Sequence, residues 1–299
     1  MLSVLAHFFE DGRWGLPAEM GVEVQTLTVE DHLYIIMQAA LYLTVTRGST
    51  APEVWICYER AQTLCHSLNH PLLLYVALVG QWRYSQSTGK LTAAMEIARR
   101  VYSLAQEQKN PALTIGAYSI LAVTFYHLGD LETARQYTQR GLQIWRSGRV
   151  TSPVEEVDAP IVTCASFQAI IEWHAGEIAS YWATAAEAIS LAKELNDIHA
   201  LAVAIFWSAV LGYYERNPAE VERRASDLIE LATRHGFRYW RACGAILRGW
   251  ARSALGDYAE CISEIEQGIQ DNRTTGTIIS LPLFLVLKAE ALNLVDRTS

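Results

Sequence analysis

Helix-ending signals recur along this chain at a nearly fixed interval. Thr88-Gly89-Lys90-Leu91, Leu128-Gly129-Asp130-Leu131, Ala175-Gly176-Glu177-Ile178, Arg216-Asn217-Pro218 and Leu255-Gly256-Asp257-Tyr258 are separated by steps of 40, 47, 41 and 39 residues. A second set lies between them, at Asn69-His70-Pro71, Lys109-Asn110-Pro111, Asn196-Asp197 and His235-Gly236. Two stops per period of about 40 residues mean two helices per unit, which is the mark of a stacked helical array.

The segments between the stops carry a helical period. Leu91, Ala94, Ile97, Ala98, Val101, Leu104 and Ala105 keep the i, i+3, i+4, i+7 spacing of one apolar face, as do Leu131, Ala134, Tyr137, Thr138, Gly141, Leu142 and Trp145. Arg99, Arg100, Glu107, Arg135, Gln139 and Arg140 fall on the opposite faces. The first helix of each unit is apolar nearly all round, as in 117–126 and 200–213, so it must be covered on all sides.

The predicted fold is therefore all-α, a right-handed superhelical solenoid of about six antiparallel helical hairpins. Residues 28–299 make the repeat domain and 1–27 a poorly defined lead-in. Small residues mark the helix crossings: Ala122 with Ala134, Ala169 with Ala188, Gly249 with Gly268, and Gly141 for the approach of the following helix. Residues 280–295 read as a last helix that caps the array. Only 22–29 alternates like a strand, weakly and without a partner.

The run Tyr118-x-x-Leu121-Ala122-x-x-Phe125-x-x-x-Gly129-x-x-x-x-Ala134 resembles the tetratricopeptide pattern. The longer period is similar to the repeats of the maltose-regulon transcriptional activator and its relatives. Ala245 to Trp250 followed by Leu255-Gly256, with Ile265, Gly268, Pro282 and Leu285, resembles the C-terminal module of bacterial class III adenylate/guanylate cyclases and of kinases that carry AAA or STAND ATPase domains. The similarity runs from about Gln38 to Leu294. It implies a regulatory helical-repeat module in bacterial signalling or transcription control. These residues leave no room for the cyclase, kinase or nucleotide-binding domains of such proteins, so the expectation is the repeat module alone, either free-standing or a fragment of a larger protein. Thr88-Gly89-Lys90-Leu91-Thr92 has only the tail of a phosphate-binding loop, since Tyr84 stands where its leading glycine is needed.

Composition narrows the partners. Lys+Arg 24 against Asp+Glu 32 leaves a formal charge of −8, which speaks against a broad grip on nucleic-acid phosphates. Five cysteines without a C-x-x-C pair fit neither a disulfide framework nor a zinc ribbon, and packed free thiols account for them. The longest apolar run, 72–80, is less than half a bilayer span. Residues 1–9 lack the basic region of a signal peptide, and Glu10-Asp11 follow at once. The expected setting is cytoplasmic, with no membrane, no metal and no cofactor.

Catalytic motifs fail as well. Gly116-Ala117-Tyr118-Ser119-Ile120 lacks the second glycine of a nucleophile elbow. Glu155, Glu156 and Asp158, in the longest structureless stretch, are expected to be solvated or to meet a partner. Arg223 and Arg224, with Arg216, Arg234, Arg238 and Arg241 nearby, interleave with Glu215, Glu220, Glu222 and Glu230 as a salt-bridged helix surface. The expected function is a non-catalytic module that holds a protein or peptide, or a small effector, in its concave groove. The alternative is a homo-oligomeric assembly scaffold. Arg83, Tyr126, His127, Trp173, His174, Trp207, Tyr214 and Trp250 fall near the C-terminal ends of first helices and are the groove candidates. The other use for these aromatics is to fill the core between adjacent hairpins.

Overall fold

The computed structural model describes residues 28–296 apart from positions 149 and 259, so the expected lead-in 1–27 lies outside the described residues. Thirteen α-helices and no strand occur among the described residues. In chain order they are α1 (Val29–Arg47), α2 (Pro52–Leu68), α3 (Pro71–Ser87), α4 (Leu91–Gln108), α5 (Pro111–His127), α6 (Leu131–Arg146) and α7 (Pro160–His174). These are followed by α8 (Tyr181–Glu194), α9 (Ile198–Tyr214), α10 (Pro218–His235), α11 (Arg238–Ala254), α12 (Cys261–Thr274) and α13 (Leu281–Asp296). They form six hairpins and a closing helix in a tetratricopeptide-like superhelix.

Local chemistry sets the helix boundaries. Proline opens α2, α3, α5, α7 and α10, where its missing N–H costs nothing. Asn110, Asp130, Asp197 and Asn217 accept hydrogen bonds from otherwise unpaired N–H groups of the first turn. At the far ends Gly89, Gly129, Gly176 and Gly256 take φ between +69° and +89°, the left-handed turn that stops a helix. Glycine 89 is thus a helix stop, as its surroundings suggested.

Consecutive helices pack on one another throughout. The odd-numbered helices also pack on each other, with α5 on α7, α7 on α9 and α11 on α13, while no two even-numbered helices meet to that extent. The odd helices therefore make the inner wall. Their composition explains this: α9 buries residues on every side, whereas α4 and α6 bury only stripes such as Ala94, Ala98, Val101 and Ala105. Close approach within hairpins needs small residues. A Cβ on Gly249 would lie 2.6 Å from Ile265 Cγ1 and 2.8 Å from the Cys261 carbonyl oxygen. One on Gly141 would lie 2.9 Å from Cys164 Sγ on the following helix. All five cysteines are free and buried.

Helix α13 closes the array. Phe284, Leu287 and Ala291 form its buried face, and its Glu290 accepts hydrogen bonds from the Tyr213 hydroxyl and the Trp250 indole and pairs with Arg216. The connection before α13 reaches back to the beginning of the array. Ile278 N–H donates to the Ser87 carbonyl at 2.9 Å, the Ser49 and Ser87 hydroxyls meet at 2.9 Å, and the Thr50 hydroxyl donates to the Thr275 carbonyl. The superhelix so brings its first and last hairpins together. Among the described residues no helix is long and apolar enough to cross a membrane.

Candidate functional site

Tyr126 at the end of α5, Phe167 and Trp207 midway along α7 and α9, and Trp173, His174 and Tyr214 at the ends of those two helices place a continuous aromatic cluster on the inner wall. Tyr126 meets Phe167 edge-on at 5.2 Å between ring centroids, and Phe167 meets Trp207 at 4.7 Å. Tyr126 also lies 6.1 Å from Trp207 and 6.0 Å from His174. Trp173 and Tyr214 stack at 4.8 Å with an interplanar angle of 27°, and His174 lies 5.5 Å from Tyr214. Tyr126, Trp173, Trp207 and Tyr214 are half-buried and His174 is exposed, so the cluster presents ring surface rather than disappearing into the core. Such rings join an apolar body to a polar edge, a combination that suits partial burial against a ligand.

The cluster is electrically quiet. Burial, then the neighbouring Tyr214 hydroxyl, pushes the Tyr126 phenol well above its ordinary range. Burial lowers His127, with partial opposition from its hydrogen bond to the Val123 carbonyl at 2.8 Å, and partial desolvation by the rings beside it lowers His174. His127 also meets the Gln86 amide at 3.0 Å.

Two of the sequence candidates lie elsewhere. Trp250 is only 2% exposed and donates its indole N–H to Glu290, so it is a core side chain and cannot line a groove. Arg83 stands apart from the aromatic cluster and is held by Asp158, with guanidinium nitrogens 2.8 Å and 3.3 Å from the two carboxylate oxygens.

That ion pair belongs to the segment 150–159, and it corrects in part the expectation that the acids there are solvated: Glu155 is exposed, whereas Asp158 is not. Asp158 is only 6% exposed. The segment runs across the inner wall: the Gln38 amide on α1 donates to Glu155 at 2.9 Å, Arg83 on α3 grips Asp158, and His199 on α9 approaches Asp158 at 3.6 Å. Burial alone would raise the Asp158 carboxyl, but Arg83 and then His199 hold it well below the usual carboxylate range. Glu156 behaves oppositely. Burial and the adjacent Asp158 charge push it up to about 8, against the pull of Arg83. Asp197 ties the segment down: Oδ1 caps its own helix at Ala200 N–H, while Oδ2 accepts from Ala159 N–H, each at 2.8 Å. One carboxylate serves two helix starts, and α7 has no side-chain cap of its own.

Periodicity missed Phe167, Asp158 and His199. Phe167 sits in a helix apolar on all sides, where no pattern separates a groove face from a core face. The borrowed cap carried a weak signal for the segment, since Ala159 before Pro160 is a poor helix start and needs an acceptor from elsewhere. Among the described residues no group of three or more His, Cys, Asp or Glu is arranged to hold a metal ion. The Arg216 to Arg234 surface is salt-bridged as its sequence suggested, with Glu220 holding both Arg223 and Arg224.

No family model matches the chain, and no curated protein is similar to it. Among solved structures it is similar to a Rap protein complexed with Competence and Sporulation Factor, with a TM-score of 0.65 and 13% identity over 99% of this chain and 84% of that one. It is also similar to BtubC from P. vanneervenii, with a TM-score of 0.53 and 17% identity over 81% of this chain and 91% of that one. The likeness is one of fold. It places the chain among tetratricopeptide-like helical-repeat structures.

Proposed function

We propose that this chain is a regulatory module whose inner wall binds a peptide segment of a partner protein. The observation that carries the reading is the half-exposed cluster of Tyr126, Trp173, His174, Trp207 and Tyr214 on the inner side of the superhelix. A net charge of −8 and the exposed Glu155 beside the wall favour a segment with aromatic or aliphatic anchors and an adjacent positive charge. The fold shared with a Rap protein in complex with its signalling factor supports this use of the architecture. The resemblance of residues 38–294 to regulatory modules of bacterial cyclases, kinases and transcription activators supports a signalling context. The five unpaired thiols agree with a reducing, cytoplasmic setting.

Selection from a displayed random peptide library against the full chain tests this reading. Enriched peptides should share apolar anchors and lose affinity about tenfold or more in Trp207→Ala, the loss common for an aromatic hot spot. Enrichment of no peptide, or binding that ignores Trp173 and Trp207, overturns it.

A second reading, a self-assembling scaffold, draws on the outer face of α13, where Leu285, Val286 and Leu292 are exposed. Light scattering decides it: a concentration-dependent increase in mass that Val286→Lys abolishes supports assembly, and a monomer at all concentrations removes it.

A further inference from the structure

The meeting of the first and last hairpins leaves a partly open cavity that the aromatic wall does not touch. Its volume is about 150 Å³, and it lies where residues 44–49, with Arg83 and Ser87, face residues 237–240 and 275–279. A cavity of about this volume accommodates a ring the size of benzene. Phe237, Trp240 and Ile279 give it a flat apolar side, and Arg83, His199 and Arg238 give it a polar side.

The charges on the polar side do not cancel. Arg47 is paired with Glu53 and Arg83 with Asp158. The Trp240 indole donates to His199 Nε2 at 3.1 Å, which leaves the ring proton on Nδ1, 3.6 Å from Asp158. Arg238 has no carboxylate partner among the described residues. The Nε–H of Arg83 is buried with no acceptor, because Asp158 takes only the two terminal nitrogens. That Nε–H does not open onto the cavity, but each terminal nitrogen keeps a second N–H that Asp158 does not use, and the Arg83 side chain is partly exposed. The cavity therefore offers one uncompensated positive charge on Arg238, the spare terminal N–H groups of Arg83 and an aromatic side of matching size.

We infer that this seam cavity binds a small organic anion, a carboxylate or phosphate monoester on a flat apolar body about the size of benzoate, between Arg83, Arg238 and the Phe237–Trp240 face. The anionic oxygens accept from Arg238 and from a terminal N–H of Arg83 that Asp158 leaves free, while the apolar body lies against Trp240. Since the two sides of the cavity belong to opposite ends of the array, the anion cross-links the seam and holds the superhelix closed. This site stands independently of the peptide-binding wall.

Calorimetry and thermal unfolding of the full chain with benzoate, phenyl phosphate and neutral benzamide test it. At least one of the anions should bind one per chain with a Kd of about 1 mM or tighter and raise Tm, while benzamide does neither. Binding of only the carboxylate or only the phosphate ester supports the site and identifies its natural class. Arg238 is exposed, so Arg238→Ala should keep the unliganded Tm and weaken the anion about tenfold. No saturable binding of either anion at about 10 mM, equal binding of benzamide, or unchanged affinity in Arg238→Ala overturns the inference.

Discussion

Trp173 and Tyr214 stack face to face, 4.8 Å apart, although 41 residues of sequence separate them. The same offset recurs along the inner wall. Tyr126 with Phe167, Gln86 with His127 and His199 with Trp240 are each 41 apart, and Phe167 with Trp207 and Trp250 with Glu290 are 40 apart. Equivalent positions of neighbouring repeats thus form ladders along the superhelix, much as i, i+4 pairs do along a helix. Each rung orders its neighbours, which is how a one-dimensional array of hairpins gains a continuous aromatic surface.

Two rungs of this ladder separate core from surface. Trp250→Ala should cost about 3–5 kcal/mol, because it opens a cavity and strips Glu290 of an indole donor. Trp173→Ala, at a half-exposed position, should cost about 1 kcal/mol and leave a folded chain. Urea unfolding of both variants measures the difference. Equal losses would mean that the wall is simply more core.

Helix crossing distance is set at Gly249. Gly249→Leu puts side-chain atoms where Ile265 and the Cys261 carbonyl already lie, so the urea midpoint should fall by an amount equivalent to about 1–3 kcal/mol. An unchanged midpoint would contradict the packing of α11 on α12.

Much of this was legible in the sequence, for identifiable reasons. Glycine and proline stops are local, so Gly89, Gly129, Gly176, Gly256, Pro71 and Pro111 disclosed helix boundaries without any tertiary information. Gly249 and Gly141 disclosed crossings because a missing side chain at a helical period has few other uses. The site was read less well. Tyr126, Trp173, Trp207 and Tyr214 share a surface, but Trp250, in equivalent sequence surroundings, is covered by α13. Which end of an all-apolar helix meets solvent depends on the neighbouring hairpin that packs over it, and that is not a local property. Asp158 was misread because its partner Arg83 is 75 residues away and no period links the two.

The segment 150–159 should be held chiefly by that pair. Asp158→Ala leaves Arg83 largely buried without its counter-charge and should cost about 3–5 kcal/mol. Limited proteolysis should then cut within 150–158 faster than in the parent chain. An unchanged cleavage rate would show that Gln38 and Asp197 suffice to hold the segment.

Glu156 gives the fold a distinct pH dependence. Its carboxyl is raised from an ordinary 4.5 to about 8, chiefly by burial and secondly by Asp158. The folded chain keeps this proton where the unfolded chain has lost it, so folding takes up a proton between these values. Its contribution is therefore complete below pH 4.5 and declines as pH rises towards 8. Glu156→Gln should flatten that decline and gain about 1–3 kcal/mol over the parent chain near pH 8.5. Parallel pH profiles for the two chains would contradict the burial of this carboxyl.

The peptide-binding wall is tested most directly by indole N–H resonances of the nine tryptophans, recorded while a library-selected peptide is added to the full chain. The signals of Trp173 and Trp207 should shift and saturate together with the stoichiometry of one peptide. Those of buried Trp82 and Trp250, and of Trp55 and Trp182 on the second helices, should stay in place. Saturating shifts confined to Trp55, Trp145 or Trp182 would put the peptide on the outer helices and contradict binding at the inner wall.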